Sequence, residues 1–324
     1  MLKRQFSRLP FAGLFLVSIL CANAWALPRC FFVSSYHQGY SWSDGVQRGL
    51  EKVLQGKCEL RQFDMDTKRH KSDADKRAAA LAAKQLIESW KPDVVITADD
   101  NAARYLIVPY YKDAALPFVF CGVNWSVEEY GFPFENVTGM IEVAPVRAML
   151  KEARRLRGDA NHFFYLGADT TTERKNLARF RKAAEDLGLT MESALVDTPE
   201  AWIEAFEKAQ RFPFVAIGSH AGINGWDFEA VRAAIQDKVA TLSVTNHEWM
   251  MPVTMLGFTK IPEEQGEWAG ETALAILEGV SPGEIPIVAN RRWDLWLNEG
   301  LVKLAGIRLP DKLRAKAKRW QKTQ

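Results

Sequence analysis

The sequence predicts an α/β protein of two Rossmann-like lobes, each a parallel sheet flanked by helices, joined by a multi-strand hinge. Three observations carry this. Short apolar runs alternate with amphipathic stretches after residue 29. The alternation comes in two similar arrays, 30–142 and 162–245, with no long flexible linker in either. The C-terminal part then revisits both arrays, which requires several crossovers. Strands separated by helices imply parallel pairing with right-handed connections.

In the first array, "CFFVSSY" (30–36) is a buried strand and "SDGVQRGLEKVLQG" (43–56) an amphipathic helix. "CELRQFDM" (58–65) is the second strand. Ser72 and Asp75 can form a capping box that starts a long helix through "KRAAALAAKQLIESW". "DVVITA" (93–98) reads as a buried parallel strand. "DDNAARYLIVPYY" (99–111) opens a helix that Pro109 ends, and "PFVFCGV" (117–123) and "VTGMIE" (137–142) are further strands.

The helix "VAPVRAMLKEARRLR" leads into the second array. There the strands "HFFYLGAD" (162–169), "TMESALVD" (190–197), "FVAIGS" (214–219) and "ATLSVT" (240–245) alternate with helices. The remainder is a strand-like "TMLGFTKI" (254–261), the helix "PEEQGEWAGETALAILEG", the extended "EIPIVANRRWDLWLN", and a final helix. Its basic tail "DKLRAKAKRWQKTQ" reads most simply as a solvated helix.

The first 26 residues are expected to lie outside the fold. Lys3, Arg4 and Arg8 precede a short apolar run, and Ala24 and Ala26 offer small residues for cleavage, the pattern of a secretory signal peptide. The residue before Cys21 is Leu20, which argues against lipidation. The expected location is the periplasm. Without that segment 39 basic residues face 40 acidic ones, which gives no reason to invoke nucleic acid or an anionic membrane. Export permits a disulfide. Cys30 and Cys58 open neighbouring strands at the same sheet edge, so they are expected to pair; the alternative is two small buried hydrophobes. Cys121 is left over.

Catalytic motifs are missing. "GSHAG" (218–222) has serine in the wrong register for a nucleophile elbow, and no Walker or G-x-G-x-x-G spacing occurs. "HEWMM" (247–251) lacks the second histidine of a zincin. The reading is a non-enzyme without cofactor or bound metal, although His37, His220 and His247 could meet at a strand-end cleft. What the strand ends do offer is a ligand cradle, because open α/β sheets bind ligands beyond the carboxyl ends of their strands. Tyr36, His37, Tyr40 and Trp42 follow the first strand; packing the loop's underside is their alternative role. Asp99 and Asp100 follow another strand, either as helix caps or as carboxylates facing a ligand ammonium. After another strand end, Asn124, Trp125 and Ser126 repeat the theme. In the second array, Asp169, Thr170 and Thr171, then Ser219 and His220, offer hydroxyls and backbone N–H groups at helix starts, which suit carboxylates.

The same residues carry a resemblance. "IPEEQGEWAGETALAILEGVSPGEIPIV" and "LWLNEGLVKLAGIRLP", with "DVVITADDNAA" and "LPFVFCGV", resemble the ABC-transporter substrate-binding protein family, whose members have the type I periplasmic-binding fold. "YHQGYSW" and "CGVNWSVEEYGF" look more like a subgroup of exported sensory or binding proteins. The resemblance implies a monomer of two lobes, 27–142 with about 256–287 and 143–255 with about 288–324, closing on a small polar or aromatic, amino-acid-like solute. It implies contacts from Tyr36–Trp42, Asp99–Asn101 and Gly122–Trp125 in one lobe. Those of the other come from Asp169–Thr171, Ser219–Gly222 and Asn246–Glu248, including Asn246. The implied partner is an ABC-transporter permease; a membrane kinase or cyclase, in a sensory role, is the alternative. An exported enzyme using Asp99 or Asp100 with a histidine is the third. The chain departs from many relatives at "ADDNAA", where a small or hydroxyl residue is more usual, and Asp100 is therefore expected to select an amine or another cation.

Overall fold

The computed structural model describes residues 27–321; the expected signal peptide, Cys21 and the side chain of Thr171 lie outside the described residues. The chain runs β1 (Arg29–Ser34), α1 (Ser41–Leu54), β2 (Glu59–Asp64), α2 (Asp73–Trp90) and β3 (Val94–Ala98). Next is α3 (Asp99–Ala102), continued by a π-helical turn at Ala103–Ile107 into α4 (Val108–Tyr110), then β4 (Phe118–Asn124) and β5 (Val137–Glu142). The second array is α5 (Val146–Leu156), β6 (His162–Ala168), α6 (Thr171–Asp186), β7 (Thr190–Val196), α7 (Pro199–Ala209), β8 (Phe214–Ile217), α8 (Phe228–Ile235), β9 (Leu242–Thr245) and β10 (Leu256–Lys260). The chain closes with α9 (Pro262–Leu277), β11 (Val288–Ala289), β12 (Trp293–Leu297), α10 (Glu299–Leu304), α11 (Asp311–Lys316) and β13 (Lys318–Arg319).

Two mostly parallel sheets result, ordered β11-β5-β4-β3-β1-β2 and β13-β12-β10-β9-β8-β6-β7. Both are buried on two faces, as continuous apolar strands such as Val94–Ala98 require. Phe31, Val95 and Phe120 pack on one face of the first sheet and Phe32, Ile96 and Val119 on the other. Phe163 and Phe214 against Phe164 and Val215 do the same in the second.

Strand pairing shifts the expected lobe limits. β10 pairs with β9 and β12, so 256–260 belong to the second sheet, and β11 pairs with β5 in the first. An apolar run such as 254–261 does not reveal along the chain which sheet it joins. The crossovers therefore fall after Glu142, after Lys260 and after Ala289. They are stitched together: Lys260 Nζ bonds Glu142 Oε1, Val143 N donates to Asn290 Oδ1 (2.7 Å), and Glu264 accepts from Arg291 N and Arg292 N (2.8 and 2.9 Å).

Helix α9 returns to the first lobe and lies against α1. A Cβ at Gly49 would meet Glu263 O at 2.3 Å, and one at Gly266 would meet Val46 O at 2.0 Å, so the two backbones touch. Ser72 caps α2 by accepting from Asp75 N at 3.1 Å. Pro109 was expected to end its helix; it sits in the last turn instead, and the wider π turn before it accommodates a residue that cannot donate. The basic tail is helical only to Lys316; Lys318–Arg319 pair with β12 and cover an otherwise open strand edge.

Cys30 and Cys58 form a disulfide with Cα atoms 6.0 Å apart, at the amino edge of β1 and β2. A crosslink closing a loop of this length stabilises by about 3.6 kcal/mol in the chain-entropy account. Cys121 is buried and free. No helix of the described residues is long and apolar enough to cross a membrane.

Candidate functional site: the cleft between two strand-end edges

β5 and β10 both enter the hinge at their carboxyl ends, Glu142 and Lys260. Most strands of each sheet run parallel to them, so the carboxyl edges of both sheets border the space between the lobes.

Asp99 is the centre of the first edge. It follows β3 directly, is 2 % exposed, and holds φ at +69°, a left-handed conformation that an aspartate adopts only under constraint. A β-bulge between Phe120 and Val123 and the left-handed Gly122 make room for it; a Cβ on Gly122 would stand 3.2 Å from Asp99 Oδ1. Gly122 N is itself fixed by the buried Gln265 Oε1 at 2.9 Å. Asp99 Oδ1 accepts from Trp42 Nε1 at 3.1 Å, while Oδ2 is buried without a partner among the described residues. Burial, then the neighbouring Asp100, push the carboxyl pKa up to about 8, against the pull of Lys68, Trp42 and Lys260.

Asp100 is differently placed. Its Oδ2 accepts from Asn124 Nδ2 (2.6 Å), and its Oδ1 from Tyr130 OH (2.7 Å) and Asn124 N (3.3 Å). Three neutral donors thus occupy the carboxylate expected to select a cation, which leaves Asp99 as the open one. Neither acid caps the helix: the residue before α3 has no side-chain cap.

Tyr36 and Tyr40 meet edge to face, ring centroids 5.2 Å apart. Burial and the nearby Asp99 and Asp100 raise the Tyr36 phenol well above its ordinary pKa, so it remains a hydrogen-bond donor. His37 turns toward Asp66, Nδ1 standing 3.4 Å from Oδ1 but not aligned for a hydrogen bond. Asn101 Nδ2 donates to Thr67 Oγ1 at 2.8 Å and braces the loop after β2. Trp125 is held in the first lobe by its N–H, which donates to Glu142 O (3.0 Å), but its ring packs against the second lobe's core, with the Arg179 guanidinium 3.6 Å from its centroid.

On the second edge, Thr170 Oγ1 caps α6 through Glu173 N (3.2 Å), and the exposed Asp169 pairs with Arg174 at 2.6 Å. Ser219 is buried; its N donates to Glu173 Oε1 (3.1 Å) and its Oγ accepts from Ala221 N (3.0 Å). His220 stacks on Trp226, centroids 4.9 Å apart. Asn246 is buried with Oδ1 unpartnered. Beside it His247 has its Nε2 shut off without a partner, and burial, then His220, lower its pKa to about 4. Among the described residues no three His, Cys, Asp or Glu side chains gather as metal ligands.

Several contributors were not foreseen. Lys68 Nζ lies 4.3 Å from the Tyr36 centroid and 5.0 Å from that of Tyr40. Lys260 Nζ lies 5.3 Å from the Trp42 centroid, and burial lowers its pKa to about 8 although Asp99 pulls it up. Glu173, 2 % exposed, gathers Tyr165 OH, Asn176 Nδ2 and Ser219 N under the second edge. Its sequence signal was Thr170-x-x-Glu173, the capping-box spacing. Trp249, 53 % exposed, lies with its ring 4.5 Å from that of His247.

No protein-family model matches the sequence, and no curated protein does. Solved structures do. A ligand-free, open substrate binding protein with adhesive properties from Clostridium difficile is similar at TM-score 0.74 and 13 % identity, covering 92 % of this chain and 100 % of its own. An ABC domain in complex with L-Trp from Streptococcus pneumonia gives 0.59 and 16 %, covering 91 % and 99 %. An arabinose binding protein from Geobacillus stearothermophilus gives 0.58 and 9 %, covering 86 % and 99 %. At such identities the likeness establishes the fold: two lobes of the type I periplasmic-binding class.

Proposed function

We propose that this chain is an exported solute-binding protein that holds a small amino-acid-like or aromatic amine between its lobes. The observation that carries the reading is the Asp99 carboxyl: buried, conformationally constrained, directly after the carboxyl end of β3, and with one oxygen unpartnered among the described residues. A buried polar atom left open costs free energy, and a ligand N–H donor would remove that cost. The Tyr36, Tyr40 and Trp42 rings beside it suit an aromatic or cationic group. The fold supplies the mechanism. Contacts from both edges favour the closed arrangement, and a membrane partner, an ABC-transporter permease or a sensor, reads that arrangement in the periplasm. Nothing in this cycle requires catalysis.

A thermal-shift screen of the purified protein against amino acids, aromatic amines, polyamines and organic acids tests the reading. A ligand at one hundred times its dissociation constant adds about 2.7 kcal/mol of stability. An amine that shifts wild type but not Asp99→Asn is the expected result. A panel in which organic acids alone bind, or whose hits ignore Asp99→Asn, removes the amine from the reading.

A further inference from the structure

We propose that Lys68 is an internal competitor for the amine site: its side chain lies in the ammonium position beside Tyr36, Tyr40 and Asp99, and an incoming cation must displace it. The inference rests on the solute-binding reading but makes a claim of its own about this edge.

The geometry comes from both ends of the lysine. Its backbone is anchored. Asp66 N donates to Tyr36 O (2.9 Å), Thr67 N and Thr67 Oγ1 donate to Ser35 O (3.0 and 2.6 Å), and Asp66 itself holds φ at +53°. The loop after β2 is therefore pinned along the Tyr36 strand end. The side chain is not pinned. Lys68 is exposed and forms no ion pair among the described residues, yet its ammonium sits over two phenol rings at 4.3 and 5.0 Å. Those distances are those of a cation held by aromatic faces.

The surrounding charges are otherwise committed. Asp66 is taken by Arg69 at 2.7 Å, with His70 and His37 nearby, and Lys260 is bonded to Glu142. Asp100 is filled by Asn124 and Tyr130. That leaves an uncommitted ammonium and an uncommitted carboxyl oxygen, on Lys68 and Asp99, around the same rings. Lys68 is close enough to pull the Asp99 pKa down. An exposed four-carbon chain can swing out at little cost; a buried aspartate cannot follow it. A ligand ammonium would bind the rings as Lys68 does and reach Asp99 Oδ2 as well, which is why it would win.

Chemical complementation tests this without knowing the natural solute. Lys68→Ala removes the side chain beyond Cβ, and n-butylammonium chloride supplies an ammonium on a stem of the same four carbons as the lysine side chain. The expected result is a saturable rise in melting temperature of Lys68→Ala with n-butylammonium, absent with sodium butyrate, and lost again in Lys68→Ala with Asp99→Asn. Wild type should respond about tenfold more weakly if Lys68 fills the site nine-tenths of the time. A folded Lys68→Ala that ignores n-butylammonium overturns the proposal. So does a wild-type response to butyrate that Lys68→Ala loses, since Lys68 would then be reading an anion. If complementation succeeds while no solute in the wild-type panel binds, the ammonium site stands and the solute-binding reading is what fails.

Discussion

At the first lobe's strand ends, three non-glycine residues hold left-handed backbone: Asp66 after β2, Asp99 after β3 and Trp125 after β4. At the second lobe's strand ends, Asp169–Thr170, Gly218–His220 and Asn246–His247, no non-glycine residue does. Such backbone costs of order 1–3 kcal/mol per residue and persists only where its surroundings enforce it. The polar atoms differ in parallel. Among the described residues, the first edge leaves a titratable carboxyl oxygen open, at Asp99; the second has closed the buried carboxylate Glu173 with three donors, and its open buried atoms are neutral, Asn246 Oδ1, His247 Nε2 and Trp226 Nε1. On the proposed reading, the contrast is a division of labour: the strained edge would meet the ligand's amine, and the relaxed edge would close over the uncharged remainder.

Asp99→Asn should break the contrast most visibly. In the fold Asp99 keeps its proton to about pH 8, whereas the unfolded chain releases it near 3.8. Between those values only the unfolded state ionises, so stability falls as pH rises from about 4 to about 8. Asparagine cannot ionise and removes that fall. Urea unfolding should show no gain for Asp99→Asn below pH 4 and a gain approaching about 5 kcal/mol at pH 8. A flat difference between the two proteins would refute the buried neutral carboxyl.

Glu173→Ala acts on the other edge with the opposite sign. It strands Ser219 N, Asn176 Nδ2 and Tyr165 OH in a buried site, and should cost about 3 kcal/mol at neutral pH. A loss below 1 kcal/mol in urea titrations would mean the second edge is not held by this carboxylate.

His247→Gln sharpens the comparison through pH. His247 has its pKa lowered from 6.5 to about 4. As pH falls through that window the unfolded chain takes up a proton before the fold does, so stability drops. The substitution should remove about 2 kcal/mol of that acid loss, the shift being discounted for the residue's partial exposure. The two edges would then limit the protein from opposite sides, Asp99 on the alkaline side and His247 on the acid side.

How much of this could be read along the chain follows from the same chemistry. Strands and helices were legible because buried parallel strands such as Val94–Ala98 are continuous apolar runs between helical stretches. Asp99 and Asp100 stood out only together, as two acids directly after such a run, and the sequence pointed to Asp100 as the one to meet a cation. The division between Asp99 and Asp100 was not, since it depends on Tyr130 and Asn124 arriving from another strand end. Lys68 and Lys260 belong to no motif, and the capping-box spacing of Thr170 and Glu173 says nothing of the donors that Glu173 gathers; a lysine reads as solvated until the fold sets it over a ring. Trp125 followed the pattern of its neighbours, but its left-handed backbone turns it onto the second lobe.

That misplaced tryptophan gives the smallest and most specific prediction. Arg179 lies on α6 of the second lobe, and burial lowers its pKa to about 10. Its contact with Trp125 spans the lobes, so it acts on their relative orientation and not on either edge. A partly desolvated cation–π pair contributes about 1 kcal/mol, roughly a fivefold bias toward the arrangement that contains it. Arg179→Ala should leave the urea midpoint of each lobe nearly unchanged. It should broaden the distance distribution between spin labels placed at Leu86 and Glu204, one exposed site on each lobe. Arg179→Lys, which keeps the charge but not the planar face, should recover only part of the narrowing. If both variants give the wild-type distribution, the contact does not hold the lobes. The hinge stitches at Glu142, Asn290 and Glu264 would then fix the orientation alone, and the strained edge would owe nothing to the lobe it faces.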